Sequence, residues 1–234
     1  TEFKIAIFNF NEKHNSKVAR QLIGEEFEGI IQSDGLWVYD FLEKRKSIRH
    51  GGCNGHARRN FEKSLGNDKA RSDYALKLYR KLFKIEQEVK DKGLCPEDRL
   101  LLRKEQSAPI MDEFKEWLET EIHKLRPKDK IGKAVAYALG RWKELTLFLE
   151  DGLVEISNNL IENIIRPLAL GRRNWLFAGS PKGAERLAAV YSVILTCKLH
   201  GVNSFKYLSY VLRQLPLRKS GDIDDLLPWH WVEP

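Results

Sequence analysis

Apolar positions recur at two different periods along this chain, and the change of period divides it. Residues 3–10, FKIAIFNF, carry β-branched and aromatic side chains in partial alternation and predict a strand. Residues 16–24, SKVARQLIG, predict a short amphipathic helix with Ser16 as its cap and Gly24 as its end. Ile30 and Ile31 predict a short apolar strand with Asp34 at its carboxyl end, and Gly35 lets the chain turn sharply into residues 36–42. Arg58 and Arg59 begin a helix.

From residue 68 the period becomes helical. Ala75, Leu76, Tyr79, Leu82 and Phe83 share one face of a helix that Gly93 ends. Pro96, followed by Glu97 and Asp98, opens a second helix. Pro109 interrupts that one, and residues 111–125 continue as a separate or kinked piece. Residues 130–149 predict a further helix with Ile131, Val135, Ala138, Trp142 and Phe148 on its inner side. A strand-like stretch, 153–156, then delivers Ser157.

Ser157 can cap another helix, as can Asn158 or Asn159 if the start slips. Its apolar stripe is Leu160, Ile161, Ile164, Ile165 and Leu168. Pro167 predicts a kink or an early end, with Gly171 closing the segment. Residues 181–200 are apolar almost all round and predict a helix central to the core. Ser204 caps residues 205–215, and the tail DDLLPWHW folds back because two Trp and two Leu are costly to leave in water. The fold class is α/β, of the α+β kind with a mixed sheet. Residues 1–67 begin the core, 68–152 form a helical insertion, and 153–234 complete the core.

Composition narrows the function. The 234 residues include 40 Lys and Arg against 33 Asp and Glu, a net charge of +7, which favours a polyanionic partner. Cys53, Cys95 and Cys197 are odd in number and scattered, so no disulfide framework is implied and a reducing cytoplasm fits. No leader peptide is recognisable, and the longest apolar run, 187–197, is too short to span a bilayer; a soluble protein with no membrane partner is expected.

Three stretches carry candidate chemistry. Asp34 ends a strand, where open α/β sheets place their reactive groups, although aspartate is also an ordinary turn residue. The second stretch, KRKSIRHGGCNGHARRNF, is the most basic, with a tight backbone site at Gly51 and Gly52. Its Cys53 and His56 have C-x-x-H spacing, half of a zinc site with no second half evident, so they are read as a pair supporting the site. In the third, Asn158, Glu162 and Arg166 fall at i, i+4 and i+8 on one polar face, followed by Arg172, Arg173, Asn174 and Trp175. A glutamate and an arginine four apart are more often a surface pair. In this setting they suggest a metal-binding carboxylate beside a phosphate-holding surface. Within residues 111–122 five acids meet one Lys, so that segment should face away from DNA or form a solvated face.

An Asp at a strand end, a basic segment and a Glu on a late helix stand in the order used by ribonuclease H-like nucleases. The chain also resembles the large transposase of the insertion-sequence 66 family over nearly its whole length. The resemblance rests on SDGLWVYD, GCNGHARRNF, ISNNLIENIIRPLALGRRNWLFAGS and DDLLPWHW. It implies an incomplete ribonuclease H-like core and an Asp-Asp-Glu enzyme that cleaves and joins DNA strands. Asp34 would be the second acid and Glu162 the third, both binding Mg²⁺ or Mn²⁺, two ions in the complete enzyme.

Double-stranded DNA, as transposon ends and target, is the implied partner, with a homo-oligomer assembled on it. Arg58, Arg59, Arg166, Arg172, Arg173, Asn174 and Lys182 would contact it, with Trp175 stacking on a frayed base or serving as a core or lid residue. The family carries Asp where Ser157 stands and Trp where Asn54 stands. Its first triad Asp lies on a strand before Phe3, and Asp40 is too close to Asp34 to replace it, so this polypeptide alone is expected to be inactive or nearly so. The other readings are a ribonuclease H-like nuclease or resolvase, and a truncated or domesticated DNA-binding module without catalysis.

Overall fold

The two strands among the described residues run in the same direction. In this computed structural model, which describes residues 4–175, 177–219 and 221–233, β1 (Gly29–Gln32) pairs with β2 (Ile48–Gly51) in parallel. The register runs from Gly29↔Ile48 to Gln32↔Gly51. Parallel strands need a crossover of a dozen or more residues. Here residues 33–47 supply it, folded around a 3-10 helix, Trp37–Lys44, whose Phe41 and Leu42 pack with Ile48 and Ala19. Among the described residues the sheet is these two parallel strands in a mostly helical chain, consistent with the α/β class. Strand β2 is too short, and too basic in sequence, to show its period.

The chain divides into two compact units, His14–Leu160 and Thr1–Lys13 with Ile161–Pro234. The larger begins with α1 (Ser16–Ile23), capped by the Asn15 side chain on the Val18 N–H rather than by Ser16. Its centre is helical: α2 (Asn54–Ser64), α3 (Lys69–Asp91), α4 (Pro96–Leu102), α5 (Ala108–Ile122) and α6 (Lys130–Gly140). Helix α2 starts four residues before Arg58, so the arginine pair lies inside it. Phe61, Tyr79 and Phe114 are fully buried where α2, α3 and α5 meet, with ring centroids 5.2 to 6.2 Å apart. Such pairs add about 0.5–1.5 kcal/mol each beyond their area. Helices α3, α5 and α6 thus share one hydrophobic core with α2 and with Val154 and Ile156.

Local chemistry explains the departures from expectation. Pro109 does not break the chain of helices: a π-helical turn, Arg103–Ser107, precedes α5 and accommodates a proline that cannot donate an N–H to the turn before it. Residues 130–149 are three pieces rather than one: α6, α7 (Trp142–Thr146) and a 3-10 turn, Leu147–Leu149. Residues 153–156 form turns, not a strand. Arg103 is completely buried beside them and holds this segment through its carbonyls.

The smaller unit contains most of α8 (Asn159–Trp175), whose first two residues count with the larger unit, then α9 (Pro181–Leu199) and α10 (Ser204–Gln214). Helix α8 starts at Asn159, which puts Asn158 rather than Ser157 just before it, and runs through Pro167 and Gly171. Its stripe is not core: Ile161 and Ile165 are each 42% exposed. Helix α9 buries only Leu195, Thr196 and Cys197, so it is less central than its composition predicts. Residues 4–10 form no strand. The Ala6 N–H donates to Thr196 Oγ1 at 3.1 Å and the Phe8 N–H to Ser192 Oγ at 2.8 Å. Asn203, rather than Ser204, caps α10. The tail does fold back, with Leu226 buried and Trp231 edge-on to Tyr207.

Candidate active site

Both strands end on the same edge, and the two turns that leave them carry the candidate groups of the larger unit. Asp34 lies two residues beyond β1. Its Oδ1 accepts from the Leu36 N–H at 3.1 Å, an Asx turn that fixes the carboxylate and leaves its second oxygen for another partner. Gly35 has φ +78, a conformation that disfavours any side chain, and an added Cβ would lie 2.5 Å from the Tyr137 hydroxyl. That hydroxyl donates to the Asp34 carbonyl at 3.2 Å. Asp40 forms an ion pair with Arg141, which also reaches Glu43 and Glu144. It is therefore engaged elsewhere.

Ser33 Oγ lies 2.8 Å from His50 Nε2, cross-linking the ends of β1 and β2, while His50 Nδ1 is buried with no partner among the described residues. Burial holds the His50 pKa below its usual 6.5; Glu144 pulls it back upward and Arg141 opposes that. The folded protein then binds this proton less readily than the unfolded chain. The resulting stability is present above pH 6.5 and is lost as pH falls through the lowered folded value. An NMR titration should give His50 a midpoint below 6.5. A midpoint at or above that value would contradict the burial argument.

Beyond β2, Cys53 is completely buried and precedes α2. Its sulfur accepts the Asn158 N–H at 3.4 Å, and the Asn54 N–H donates to the Ile156 carbonyl at 3.0 Å. The segment entering α8 is thereby tied to the carboxyl edge of the sheet. An added Cβ at Gly55 would sit 3.5 Å from Ser157 Cβ and 3.7 Å from Asn159 Oδ1. Asn158 Oδ1 is buried without a partner among the described residues. His56 Nδ1 lies 3.3 Å from an Arg59 nitrogen; since guanidinium only donates, that ring nitrogen accepts and the proton sits on Nε2.

Arg58 pairs with Glu62 at 2.8 Å and lies over the Phe83 ring, so it is held by its own helix and α3. In the smaller unit, Glu162 occupies the first turn of α8, and Arg166, Asn174 and Lys182 are exposed. The side chains of Arg172, Arg173 and Trp175 lie outside what the structure describes. Within the larger unit, then, Asp34, Cys53, His56, Asn158 and Asn159 are gathered about one sheet edge. Ser33, His50 and Tyr137 join them unforeseen. The only available signal was Ile48 and His50 alternating ahead of two glycines; Tyr137 gave none.

The defining pattern of the transposase IS66 family matches residues 2–186. The chain belongs to the IS66 transposase family. The pattern of the IS66 C-terminal element matches residues 192–229. Among curated proteins of Sinorhizobium fredii, the uncharacterized protein y4hP is 36% identical over 222 residues, covering 88% of this chain and 40% of its own length. The uncharacterized protein y4qI is 36% identical over 224 residues, 92% of this chain and 41% of its own length. This IS66-family chain thus spans about two fifths of the relatives it matches. No solved structure matches it. No helix among the described residues is long and apolar enough to cross a membrane.

Proposed function

We propose that this chain carries the strand-cutting portion of a DNA transposase, built on a ribonuclease H-like core. Asp34 and Glu162 supply carboxylates to divalent cations, Mg²⁺ or Mn²⁺. The observation that carries this reading is the pair of bonds tying the entry of α8 to the sheet edge from which Asp34 projects: Asn54 N–H to Ile156, and Asn158 N–H to Cys53.

Carboxylates suit the group, because Mg²⁺ takes hard oxygen ligands and keeps positions open for phosphate. Cys53 and His56 are softer donors, and Cys53 serves to hold the segment that enters α8. When bound, the cations polarise the phosphodiester and activate the attacking oxygen. The residues of the chain fix where that happens: the Asx turn aims Asp34, and Tyr137 pins the backbone beneath it. Duplex DNA, as transposon ends and target, is the substrate, engaged by a multimer. Arg166, Arg172, Arg173, Asn174 and Lys182 lie along its phosphates, with Trp175 as a stacking residue.

Mn²⁺ binding to the purified chain, followed by electron paramagnetic resonance, should weaken at least about tenfold in Asp34→Asn and in Glu162→Gln, since loss of even an outer-shell partner costs that much. Metal-dependent nicking of duplex DNA by this chain should be absent or very weak, since the first acid of the triad is missing; turnover abolished by Glu162→Gln would overturn that argument. Cation binding indifferent to both substitutions would sink the proposal.

A further inference from the structure

Asn60, Lys63, Lys130, Lys133, Ala134 and Tyr137 line a cavity of about 400 Å³ between α2 and α6. None of the six is acidic. The three lysines are exposed, and no ion pair engages them among the described residues.

The spacing on both helices is regular. Lys130, Lys133 and Tyr137 fall at i, i+3 and i+7 on α6, a single stripe. His56, Asn60 and Lys63 fall at i, i+4 and i+7 on α2, a second stripe facing the same cavity through its last two members. Each begins at the sheet edge. The Tyr137 hydroxyl bonds the Asp34 carbonyl, and His56 follows Cys53 in the first turn of α2. Both then lead away from that edge to lysines.

We propose that this cleft is a track for the phosphate backbone of duplex DNA, guiding one strand toward Asp34. The proposal rests on the transposase reading and adds Asn60, Lys63, Lys130 and Lys133, which that reading did not include. Seven residues of α6 span about 10 Å at 1.5 Å each. One DNA strand advances about 3.4 Å per phosphate, so the stripe matches about three phosphates. Lys130 and Lys133 lie on this stripe and Lys63 lines the α2 side of the cleft, and these three ammonium groups can displace about three counterions. Tyr137, already fixed by its bond to the backbone, closes the inner end of the cleft, and Asn60 supplies a neutral amide for a phosphate oxygen.

The test measures binding of the 234-residue chain to a fluorescent duplex across a series of KCl concentrations. The slope of log K against log salt should fall by about 2 to 3 in the triple variant Lys63→Gln/Lys130→Gln/Lys133→Gln, at about 0.9 per contact. It should change by less than about 1 in Lys77→Gln/Lys81→Gln/Lys84→Gln, which removes equal charge from the exposed face of α3. Lys133→Gln alone should lower the slope by about 1. Equal reductions in both triple variants would mean a diffuse charge effect and overturn the cleft, as would an unchanged slope in the first. A parent chain with no salt-dependent binding at all would instead overturn the transposase reading, and the cleft with it.

Discussion

Replacing Arg103 with alanine should destabilise the larger unit by about 3–5 kcal/mol, the cost of stripping one partner from a buried ion pair. The guanidinium has no exposed surface. Nε and Nη2 hold the two oxygens of Glu86 at 2.8 and 2.7 Å in a bidentate pair, and the Glu86 side chain is only 10% exposed. Nη1 donates to the carbonyls of Phe148 at 2.9 Å, Val154 at 2.8 Å and Asp151 at 3.3 Å. Alanine would leave the carboxylate and the Phe148 and Val154 carbonyls without this donor, while the Asp151 carbonyl keeps the Val154 N–H, and it would open a cavity over the Phe148 ring. Lysine should recover only part, because a single ammonium cannot reach both the carboxylate and the far carbonyls. Hydrogen exchange of the α3 amides reads this unit alone. Their protection should fall by two to three orders of magnitude or more, as about 1.4 kcal/mol corresponds to each tenfold. A loss of less than about 1 kcal/mol would show that water replaces the arginine.

Gly152→Ala should cost about 2–3 kcal/mol through overpacking against backbone that cannot rotate away. A Cβ there would stand 2.6 Å from the Pro96 carbonyl carbon and closer still to its oxygen. The clash sits where the 148–154 segment meets the start of α4, and the Arg99 guanidinium donates to the Gly152 carbonyl at 3.3 Å. The two substitutions bear on one piece of chain, so they should not add. With Arg103 already gone the segment is free to yield, and Gly152→Ala should cost measurably less than it does alone. Full additivity in the double-mutant cycle would mean that arginine and glycine constrain different things.

Residues whose local chemistry dominates are legible in the sequence. Gly93, Pro96 and the fold-back of DDLLPWHW stand where their types predict. Asp34 follows its strand because a β-branched pair bounded by glycine has few other options. Positions set by distant partners are not legible. Residues 4–10 carry a strand's alternation, yet two of their N–H groups go to hydroxyls nearly two hundred positions later, which no local pattern reveals. Helix α9 is apolar by composition but only lightly buried, since composition does not say which face finds a neighbour. Of the candidate site, the residue types and their order are visible in the chain. The Ser33–His50 bridge and the Tyr137 contact are not, because each joins elements whose pairing only the fold decides.

The bond between Ala6 and Thr196 spans 190 positions, which sets a schedule for synthesis. At about 5–20 residues per second, a ribosome delivers the second partner roughly ten to forty seconds after the first. His14–Leu160 is continuous and complete by then, whereas the Ala6 N–H and carbonyl wait for the Thr196 hydroxyl until α9 leaves the exit tunnel. For that interval Ala6, buried in the folded unit, lacks its partner and stays open to chaperones and to other nascent copies, so the rate of translation itself should govern how much of the protein reaches its native state.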